Sequence, residues 1–322
     1  MNGGYIDLPK VSIIIPVFNG EAIIKECIED LLSQNYPSDK IEIIIVDDGS
    51  TDRTLEIVNE YEISCIRTIN KGPANARNIG IKAATGDILI FIDSDCMAHR
   101  NLVINHVLMH MFYQATDPSV QIIGGSIEGY NQNYWSVCDD FCSWYKNHPR
   151  LPETQVFYHP TANMSITKHL GSVISFDEEL RYAEDYTFCT NAIKKGYKII
   201  FQPKAKVLHK NRTTYKSFMG HAKNWASSQT QLMEKGIVDG ISIRFLNMYV
   251  YIFFISAIKM LQIIYFSFIA KRINVVLYVP FIFFNTIYSN YFEVKARWKL
   301  TYFSGLLEGI KNNNLKNRNK FL

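Results

Sequence analysis

Several familiar sequence signatures are missing from this chain, and each absence narrows what the protein can be. The N-terminal residues, MNGGYIDLPK, lack the apolar core of a signal peptide, so we expect its folded part to be cytosolic. The turn after the first apolar run reads PVFNGEA rather than G-x-G-x-x-G, and the chain contains no G-x-x-x-x-G-K-[ST]. These two absences argue against a dinucleotide-dependent oxidoreductase and against a P-loop.

Charge and cysteine are also scarce. Charged residues make up 20% of the sequence and the net charge is +4, which is too mild and too dispersed to indicate a nucleic acid as the partner. The six cysteines lie in or beside apolar runs, where we expect reduced thiols. The remaining composition, with 48% hydrophobic residues among 322, is that of a globular protein with a full core.

The first hundred residues alternate short β-branched runs with helix-period segments, which is the pattern of a parallel sheet. The runs VSIIIPVF, IEIIIVDD and DILIFIDSD predict strands, and EAIIKECIEDLLSQ, STDRTLEIVNEY and GPANARNIGIKAATG predict helices. The last of these strands is apolar throughout, so we expect it to be buried on both faces. The predicted fold is therefore α/β, a Rossmann-like and mostly parallel sheet flanked by helices.

The composition changes towards the C-terminus. Residues 120–210 contain short strand-like pieces and many aromatic residues, which complete the same domain, so residues 1–240 are assigned to one domain. Residues 241–322 are predicted to form a membrane-associated hydrophobic helical region with a basic tail. The basic residues of that tail favour the cytosolic side of a membrane.

Two apolar stretches make up this C-terminal region. Phe245–Ala270 and Ile273–Phe292 are each about long enough to cross a bilayer, which predicts a helical hairpin. Lys259, near the middle of the first stretch, also fits a helix that lies in the interface with its ammonium among the headgroups. A buried helix pair of a soluble protein is the third alternative.

Polar and acidic side chains follow three of the predicted strands at the point where each strand ends. In chain order they are Asn19, Asp47, Asp48, Asp93 and Asp95. In an open parallel sheet these ends meet at one edge, where ligands bind. The D-x-D spacing suits Mg²⁺ or Mn²⁺ bridging to phosphates, because hard cations take oxygen ligands. Alone, D-x-D also occurs in solvated turns.

Seven motifs occur in order over residues 10–210. They read VSIIIPVFN, VDDGSTD, KGPANARNIGIKAATGD, FIDSD, TANMSIT, FDEELRYAEDYTF and KAKVLH. This string resembles the family 2 glycosyltransferases, which are inverting, nucleotide-sugar-dependent enzymes with the GT-A fold. The resemblance implies that residues 1–240 are a GT-A catalytic domain.

The resemblance assigns a nucleotide site to the first three motifs. It implies that Asp48 holds the nucleobase and that Pro16 and Asn19 shape the floor of that pocket. Asp47 either contributes to the same pocket or caps the adjacent turn. Arg77, in the ARN segment, is implied to approach the nucleotide, with a charge on the helix surface as the alternative.

The resemblance also assigns a metal site. The family's D-x-D matches Asp93 and Asp95, of which the second usually ligates the metal and the first contacts ribose or metal. Cys96 follows where a further aspartate is common in the family. His209 follows the last strand, where related enzymes place a histidine that reaches the metal or diphosphate. A structural hydrogen bond is the alternative for this histidine.

Two further segments complete the implied site. Glu184 and Asp185 resemble the family's E-D pair, in which the aspartate is the general base, and one base suffices for a single inverting displacement. The alternative is a plain helix N-terminus, where acidic residues are favoured. Thr161 and Asn163 resemble the segment that lines the sugar pocket, although a buried asparagine can also serve a turn.

These expectations combine into one function. We expect an inverting transferase that moves a sugar from a nucleotide diphosphate donor, with UDP favoured by family frequency, to a hydroxyl of a lipid-linked or cell-surface glycan. The Q-x-x-R-W motif of processive relatives is replaced by HAKNW, which favours single addition. The rival functions are a sugar nucleotidyltransferase, whose G-x-G-T-R loop is absent, and a membrane-bound scaffold with an inactive nucleotide-sugar site.

Overall fold

The computed structural model of the protein describes residues 7–130, 132–237, 248–284, 286–288 and 290–291. The strands are β1 (Val11–Val17), β2 (Ile41–Asp47), β3 (Ser64–Arg67), β4 (Ile88–Ile92), β5 (Cys96–Ala98), β6 (Val120–Tyr130), β7 (Thr154–Val156), β8 (Asn163–Thr167) and β9 (Lys198–Lys210). The helices are α1 (Ile24–Leu32), α2 (Thr54–Val58), α3 (Pro73–Ala83), α4 (Leu102–Thr116), α5 (Tyr134–Ser143), α6 (Lys168–Val173), α7 (Glu184–Lys194), α8 (Tyr215–Glu234) and α9 (Met248–Ile269), with 3₁₀ turns at Ser38–Lys40 and Ile273–Tyr278.

All the strands belong to one sheet. Its order is β3-β2-β1-β4-β8-β6-β9-β5, and β7 pairs with β9 outside this path. The pairs β3–β2, β2–β1, β1–β4 and β6–β9 are parallel, whereas β8 is antiparallel to both of its neighbours. The short strands β5 and β7 are antiparallel to β9. The predicted α/β class with a mostly parallel sheet flanked by helices is therefore confirmed.

The first four strands and their helices follow the sequence pattern closely. In α1 the buried residues are Ile24, Cys27, Ile28 and Leu31, which recur at the spacing of one helix face packed on a sheet. Every residue of β4 is buried, as its unbroken apolar sequence predicts. The polar ends of these strands are thereby held at one edge of the sheet.

Close packing of α3 on the sheet positions the candidate site. A Cβ atom added at Gly80 would lie 2.3 Å from a side-chain carbon of Ile14 in β1, so only glycine permits this approach. Gly72 precedes the helix with a φ of +98°, a conformation that side-chain-bearing residues rarely adopt. These two glycines therefore allow the chain to enter α3 and the helix to pack closely on β1.

The predicted apolar C-terminal helix is confirmed as α9, which packs against α5 and the segment that follows it. Arg150 donates a hydrogen bond of 3.1 Å to the carbonyl oxygen of Ala270, just beyond the end of α9. Arg272 forms a buried ion pair with Asp140 of α5, and its guanidinium lies 4.0 Å from the ring centroid of Phe141. The helix is therefore anchored to the domain rather than separate from it.

Among the described residues, α9 alone is long and apolar enough to cross a membrane, judged by length and composition only. The second stretch of the predicted hairpin begins as the 3₁₀ turn Ile273–Tyr278, and its described residues 279–284 and 286–288 are helical. The basic tail from residue 292 onward lies outside the described residues. The boundary at residue 240 and the hairpin therefore stay predictions.

Candidate functional site

A cavity of about 1300 Å³ opens where β1, β2 and β4 end. Residues from several separate segments, from the end of β1 to α9, line it. The predicted site residues on its wall are Pro16, Asp48, Arg77, Asp93, Asp95, Thr161, Glu184, Asp185 and His209. The structure thus brings these predicted residues, from across the motifs, to one cavity, whereas Asn19, Asp47 and Asn163 are not on its wall.

Asp48 joins the end of β2 to the start of α3. Its carboxylate accepts hydrogen bonds from the backbone N–H groups of Lys71, at 2.9 Å, and Gly72, at 2.7 Å. Its own backbone N–H donates to the carbonyl of Val17 in β1. Asp48 therefore ties three loops together at the wall of the cavity, where Pro16 also lies.

Asn19 and Asp47 do not line the cavity, but they form hydrogen bonds within the loops that carry its wall. Asn19 has a φ of +51° and accepts hydrogen bonds from the backbone and hydroxyl groups of Thr51, which link the first loop to the second. Asp47 is fully buried and accepts the backbone N–H of Ser50 at 3.1 Å. The geometry favours the turn-capping alternative for Asp47, and a direct contact of either residue with a ligand stays a prediction.

Arg77 is an internal cation that connects two parts of the cavity. Its side chain is 4% exposed, which excludes the alternative of a helix-surface charge. The guanidinium donates to Oδ1 of Asp93 and to Oε1 of Glu184, both at 2.7 Å. Burial alone would lower the pKa of Arg77, but these two carboxylates raise it above its usual value.

Asp95 and His209 form a candidate metal site. Nε2 of His209 lies 3.4 Å from Oδ1 of Asp95, an oxygen that is buried without a hydrogen-bond partner in the described structure. Nδ1 of the same ring is 3.1 Å from Oδ1 of Asn211, which fixes its orientation. Burial raises the pKa of Asp95, a cost that a bound cation would reverse.

The residue types at this site fit a hard divalent cation. One ligand atom each of Asp95, Cys96 and His209 lie within 4.8 Å of one another. The Cys96 thiol is buried, and burial raises its pKa well above the usual value, so it stays protonated and is a poor ligand. The orphaned Asp95 oxygen and the imidazole, with Asp93 nearby, remain as ligands for Mg²⁺ or Mn²⁺.

Glu184 and Asp185 occupy the first turn of α7 and also face the cavity. The pair therefore lies both at a helix N-terminus and at the candidate site, the two positions that the sequence offered as alternatives. The tyrosine hydroxyl of Tyr158 donates to Oδ2 of Asp185 at 2.8 Å, and the backbone N–H of Tyr186 donates to Oδ1 at 2.7 Å. Ala183, which precedes them, has a left-handed φ of +63°, a strained conformation for alanine. Such strain is frequent at functional sites.

The carboxylates of Glu184 and Asp185 are both buried. Burial raises the pKa of Asp185, and the hydrogen bond from Tyr158 opposes that rise. Burial and the nearby Asp185 raise the pKa of Glu184, against the attraction of Arg77. With Glu184 committed to Arg77, Asp185 is the carboxylate suited to accept a proton from a bound hydroxyl.

The two residues predicted for the sugar pocket differ in position. Thr161 lines the cavity and is 2% exposed. Asn163 is fully buried in β8, where its amide nitrogen donates to the carbonyls of Ser126 and Ala205. Its side-chain oxygen contacts Nε2 of His106 at 2.9 Å. The geometry favours the structural alternative for Asn163, because all its polar atoms are used inside the sheet.

Several polar residues of the cavity were not predicted from the sequence. Arg212 pairs with the buried Asp139 of α5 at 3.0 Å and contacts Nδ1 of His221 at 2.9 Å. Tyr158, Lys146 and Lys259 also line the cavity. The position of Arg212, three residues after His209, was a usable signal, whereas the lysines lie far from any motif.

Comparison with known proteins gives a consistent family. A sequence profile described as glycosyl transferase family 2 matches residues 12–178, just over half of the chain. A dolichyl N-acetyl-alpha-D-glucosaminyl phosphate 3-beta-D-2,3-diacetamido-2,3-dideoxy-beta-D-glucuronosyltransferase of Methanococcus voltae is 27% identical over 70% of this chain and 74% of that protein. A poly(ribitol-phosphate) beta-glucosyltransferase of Bacillus spizizenii is 31% identical over 59% of this chain and only 30% of that protein.

Solved structures agree on the fold. The mannosyltransferase PcManGT from Pyrobaculum calidifontis, in complex with GDP-Man and Mn²⁺, aligns with a TM-score of 0.61 at 18% identity, covering 91% of this chain and 88% of that one. Residues 1–349 of Staphylococcus aureus TarS, in complex with UDP, align with a TM-score of 0.50 at 18% identity, covering 91% and 92%. At these identities the likeness concerns the fold, and the predicted GT-A fold is confirmed.

Proposed function

Because the chain belongs to glycosyl transferase family 2 and is a glycosyltransferase, we propose that it transfers a sugar, with inversion, from a nucleoside diphosphate donor to an acceptor hydroxyl. The donor is a UDP-sugar and the acceptor is a lipid-linked or cell-surface glycan. The observation that carries this proposal is the Arg77 bridge, which joins Asp93 to Glu184, the neighbour of Asp185, across one cavity.

The proposed donor side of the cavity consists of Pro16, Asp48, Arg77, Asp93 and Asp95. Asp48 and Pro16 hold the nucleobase of the donor, and Asp93 contacts its ribose or the metal. Asp95 and His209, with Asp93, would hold a bound Mg²⁺ or Mn²⁺, which would supply positive charge to stabilise the departing diphosphate. PcManGT, which was solved with Mn²⁺, supports the presence of a divalent ion without deciding between the two metals.

Asp185 is the proposed general base. As the acceptor oxygen bonds to the anomeric carbon, Asp185 takes the hydroxyl proton and the bond from that carbon to the diphosphate oxygen breaks. Tyr158 and the backbone of Tyr186 hold the carboxylate in place during this step. One displacement inverts the anomeric configuration, so a β-linked product forms from an α-linked donor.

The acceptor class rests on the relatives. One is named for transfer to a dolichyl phosphate sugar and another for transfer to poly(ribitol-phosphate), which are lipid-linked and polymer acceptors. The apolar α9 supports a membrane-associated enzyme, with the catalytic domain on the cytosolic face. In the HAKNW segment, His221 and Trp225 line the cavity but the Gln and Arg of processive enzymes are missing, so we propose single addition.

Replacing the base tests this proposal most simply. The substitution Asp185→Asn should reduce sugar transfer at least ~10²-fold, the lower end of the effect of a general base, while UDP binding changes little. Asp39→Asn, at an exposed aspartate of a 3₁₀ turn, is the matched control and should keep the parental rate. Transfer that survives in Asp185→Asn contradicts the base. Formation of a UDP-sugar and pyrophosphate from UTP and a sugar 1-phosphate, in a separate assay, indicates the rival nucleotidyltransferase.

A further inference from the structure

Two lysines of the cavity have no carboxylate partner among the described residues, and Lys146 instead lies 5.5 Å from the centroid of the Tyr145 ring. Lys146 follows α5, and Lys259 is the only charged residue of α9. Both line the cavity, and within the described part of the chain neither forms an ion pair with a carboxylate. By contrast, Arg77 and Arg212 are each held by buried or half-buried acids.

The two lysines face the same cavity from different segments of the chain. Burial lowers the pKa of Lys146, and the charge of Lys259 lowers it further. Packing holds the two segments together, because the Tyr145 ring lies 5.9 Å from that of Phe266 in α9. Arg150 fixes the end of the same helix. Two cationic side chains on the wall of one cavity, without a carboxylate partner among the described residues, favour the binding of an anion there.

The cavity opens next to an apolar surface. The large exposed side chains of α9 fall within an arc of about 140°, at ~100° per residue. They are Phe253, Phe254, Ile258, Leu261, Tyr265 and Phe268. Tyr265 is 61% exposed and also lines the cavity, so the apolar face continues into the cavity mouth. Only 28% of Ile252–Ile269 is buried, which leaves this face free to enter a bilayer.

These two observations define an acceptor side of the cavity, formed by Lys146, Lys259 and Tyr265. We propose that Lys146 and Lys259 bind the phosphate of a lipid-borne acceptor while the apolar face of α9 lies in the membrane beside it. Lysine binds phosphate as a point charge and needs no fixed fork geometry. The proposal rests on the proposed function, since it assigns the acceptor class of the same cavity.

The test uses the full chain in neutral detergent with saturating UDP and Mn²⁺. Dodecyl phosphate is the probe, and its binding is followed by the fluorescence of Trp144 and Trp225, which line the cavity. The parent protein should bind it at least ~10-fold more tightly than the neutral dodecyl maltoside. Lys146→Gln and Lys259→Gln should each weaken dodecyl phosphate binding by roughly 5-fold to 10-fold and reduce its salt dependence.

Matched variants separate this effect from misfolding. Lys259→Arg keeps the charge and should retain binding, and Lys82→Gln, at an exposed lysine of α3, should behave as the parent. UDP affinity measured on each variant reports the folded donor side. Unchanged dodecyl phosphate binding in both Gln variants would overturn the phosphate site.

A second arm tests the lipid source. Glycerol 3-phosphate should bind at least ~10-fold more weakly than dodecyl phosphate, because it lacks the chain that contacts α9. Equal binding of the two would overturn the lipid assignment. Hydrolysis of the donor by the parent protein is measured separately, so a protein that binds dodecyl phosphate through its lysines but hydrolyses no nucleotide sugar would contradict the proposed function instead.

Discussion

The proposed donor side and the proposed acceptor side of the cavity differ in how their charged side chains are partnered. On the proposed donor side Arg77 is paired within the protein with Asp93 and Glu184. On the proposed acceptor side Lys146 and Lys259 face the same cavity without a carboxylate partner among the described residues, beside an exposed apolar face. If the two sides have the proposed roles, the donor side is preorganised by its own ion pairs, whereas the two lysines of the acceptor side are left for the charge of a ligand.

Removing the cation of the donor side should have the largest effect. Arg77→Met leaves two carboxylates without their shared partner, so the free energy of unfolding should fall by about 3 kcal/mol or more, and transfer should be lost. Arg53→Met is the control, because Arg53 is 73% exposed and its pair with Glu56 should contribute at most ~1 kcal/mol. Urea denaturation measures both, and equal losses would contradict the preorganised donor side.

Replacing Asp95, the proposed metal ligand, should have the second-largest effect. Asp95→Ala should weaken Mn²⁺-dependent UDP binding at least ~10-fold, since even changes outside the ligand shell often cost that much. Asp93→Ala should weaken Mn²⁺-dependent UDP binding less, because Asp93 also pairs with Arg77. Calorimetry with and without chelator makes the comparison. The metal role is wrong if Asp95→Ala transfers sugar at the parental rate in the presence of chelator.

The hydrogen bond to the base predicts a pH effect of intermediate size. The pKa of Asp185 is raised by burial and lowered by Tyr158, so losing the hydroxyl in Tyr158→Phe should raise the pKa further. Because the base must be ionised, activity is lost as pH falls through this pKa, and the acid limb of the rate profile should move to higher pH by about one unit.

Donor hydrolysis measured from about pH 4 to about pH 8 provides the profile. Tyr197→Phe is the control, because the Tyr197 hydroxyl contacts His169, outside the cavity. A limb that stays in place or moves to lower pH in Tyr158→Phe contradicts the assignment of Asp185.

Replacing a residue on the apolar face of α9 should have the smallest effect on the free energy of unfolding. Phe268 is 77% exposed on α9, so Phe268→Ser should change the free energy of unfolding by no more than ~0.5 kcal/mol. Binding to lipid vesicles should fall about 10-fold, because a buried aromatic ring contributes about 1.5–3 kcal/mol. Phe112→Ser, at an exposed residue of α4, is the control for cosedimentation. Equal vesicle binding of both variants argues against a membrane contact of α9.

Local sequence pattern was sufficient for the donor side and its strands. Apolar runs such as β4 predict buried strands directly, and carboxylates after parallel strands must meet at one edge. This is why the amino-acid pattern alone was enough to place Asp48, Asp93 and Asp95 together. The same pattern could not distinguish Asp47, which faces the adjacent turn, from Asp48, which faces the cavity.

Long-range packing determines what the sequence could not indicate. Tyr158 reaches Asp185 from a separate segment, and no periodicity relates them. Lys259 was considered only as a charge within or above a bilayer, whereas it faces the cavity because Arg150 and Arg272 anchor α9 on the domain. Side chains whose roles depend on contacts between distant segments leave no local signal in the sequence.

The initial anomer of the released sugar tests the central claim most directly. Proton NMR can follow hydrolysis of an α-linked UDP-sugar by the parent protein before the free sugar mutarotates, with water in place of the acceptor. A single displacement assisted by Asp185 predicts that the β anomer appears first and that Asp185→Asn releases almost none. First appearance of the α anomer would contradict the inverting mechanism and the role of Asp185 together.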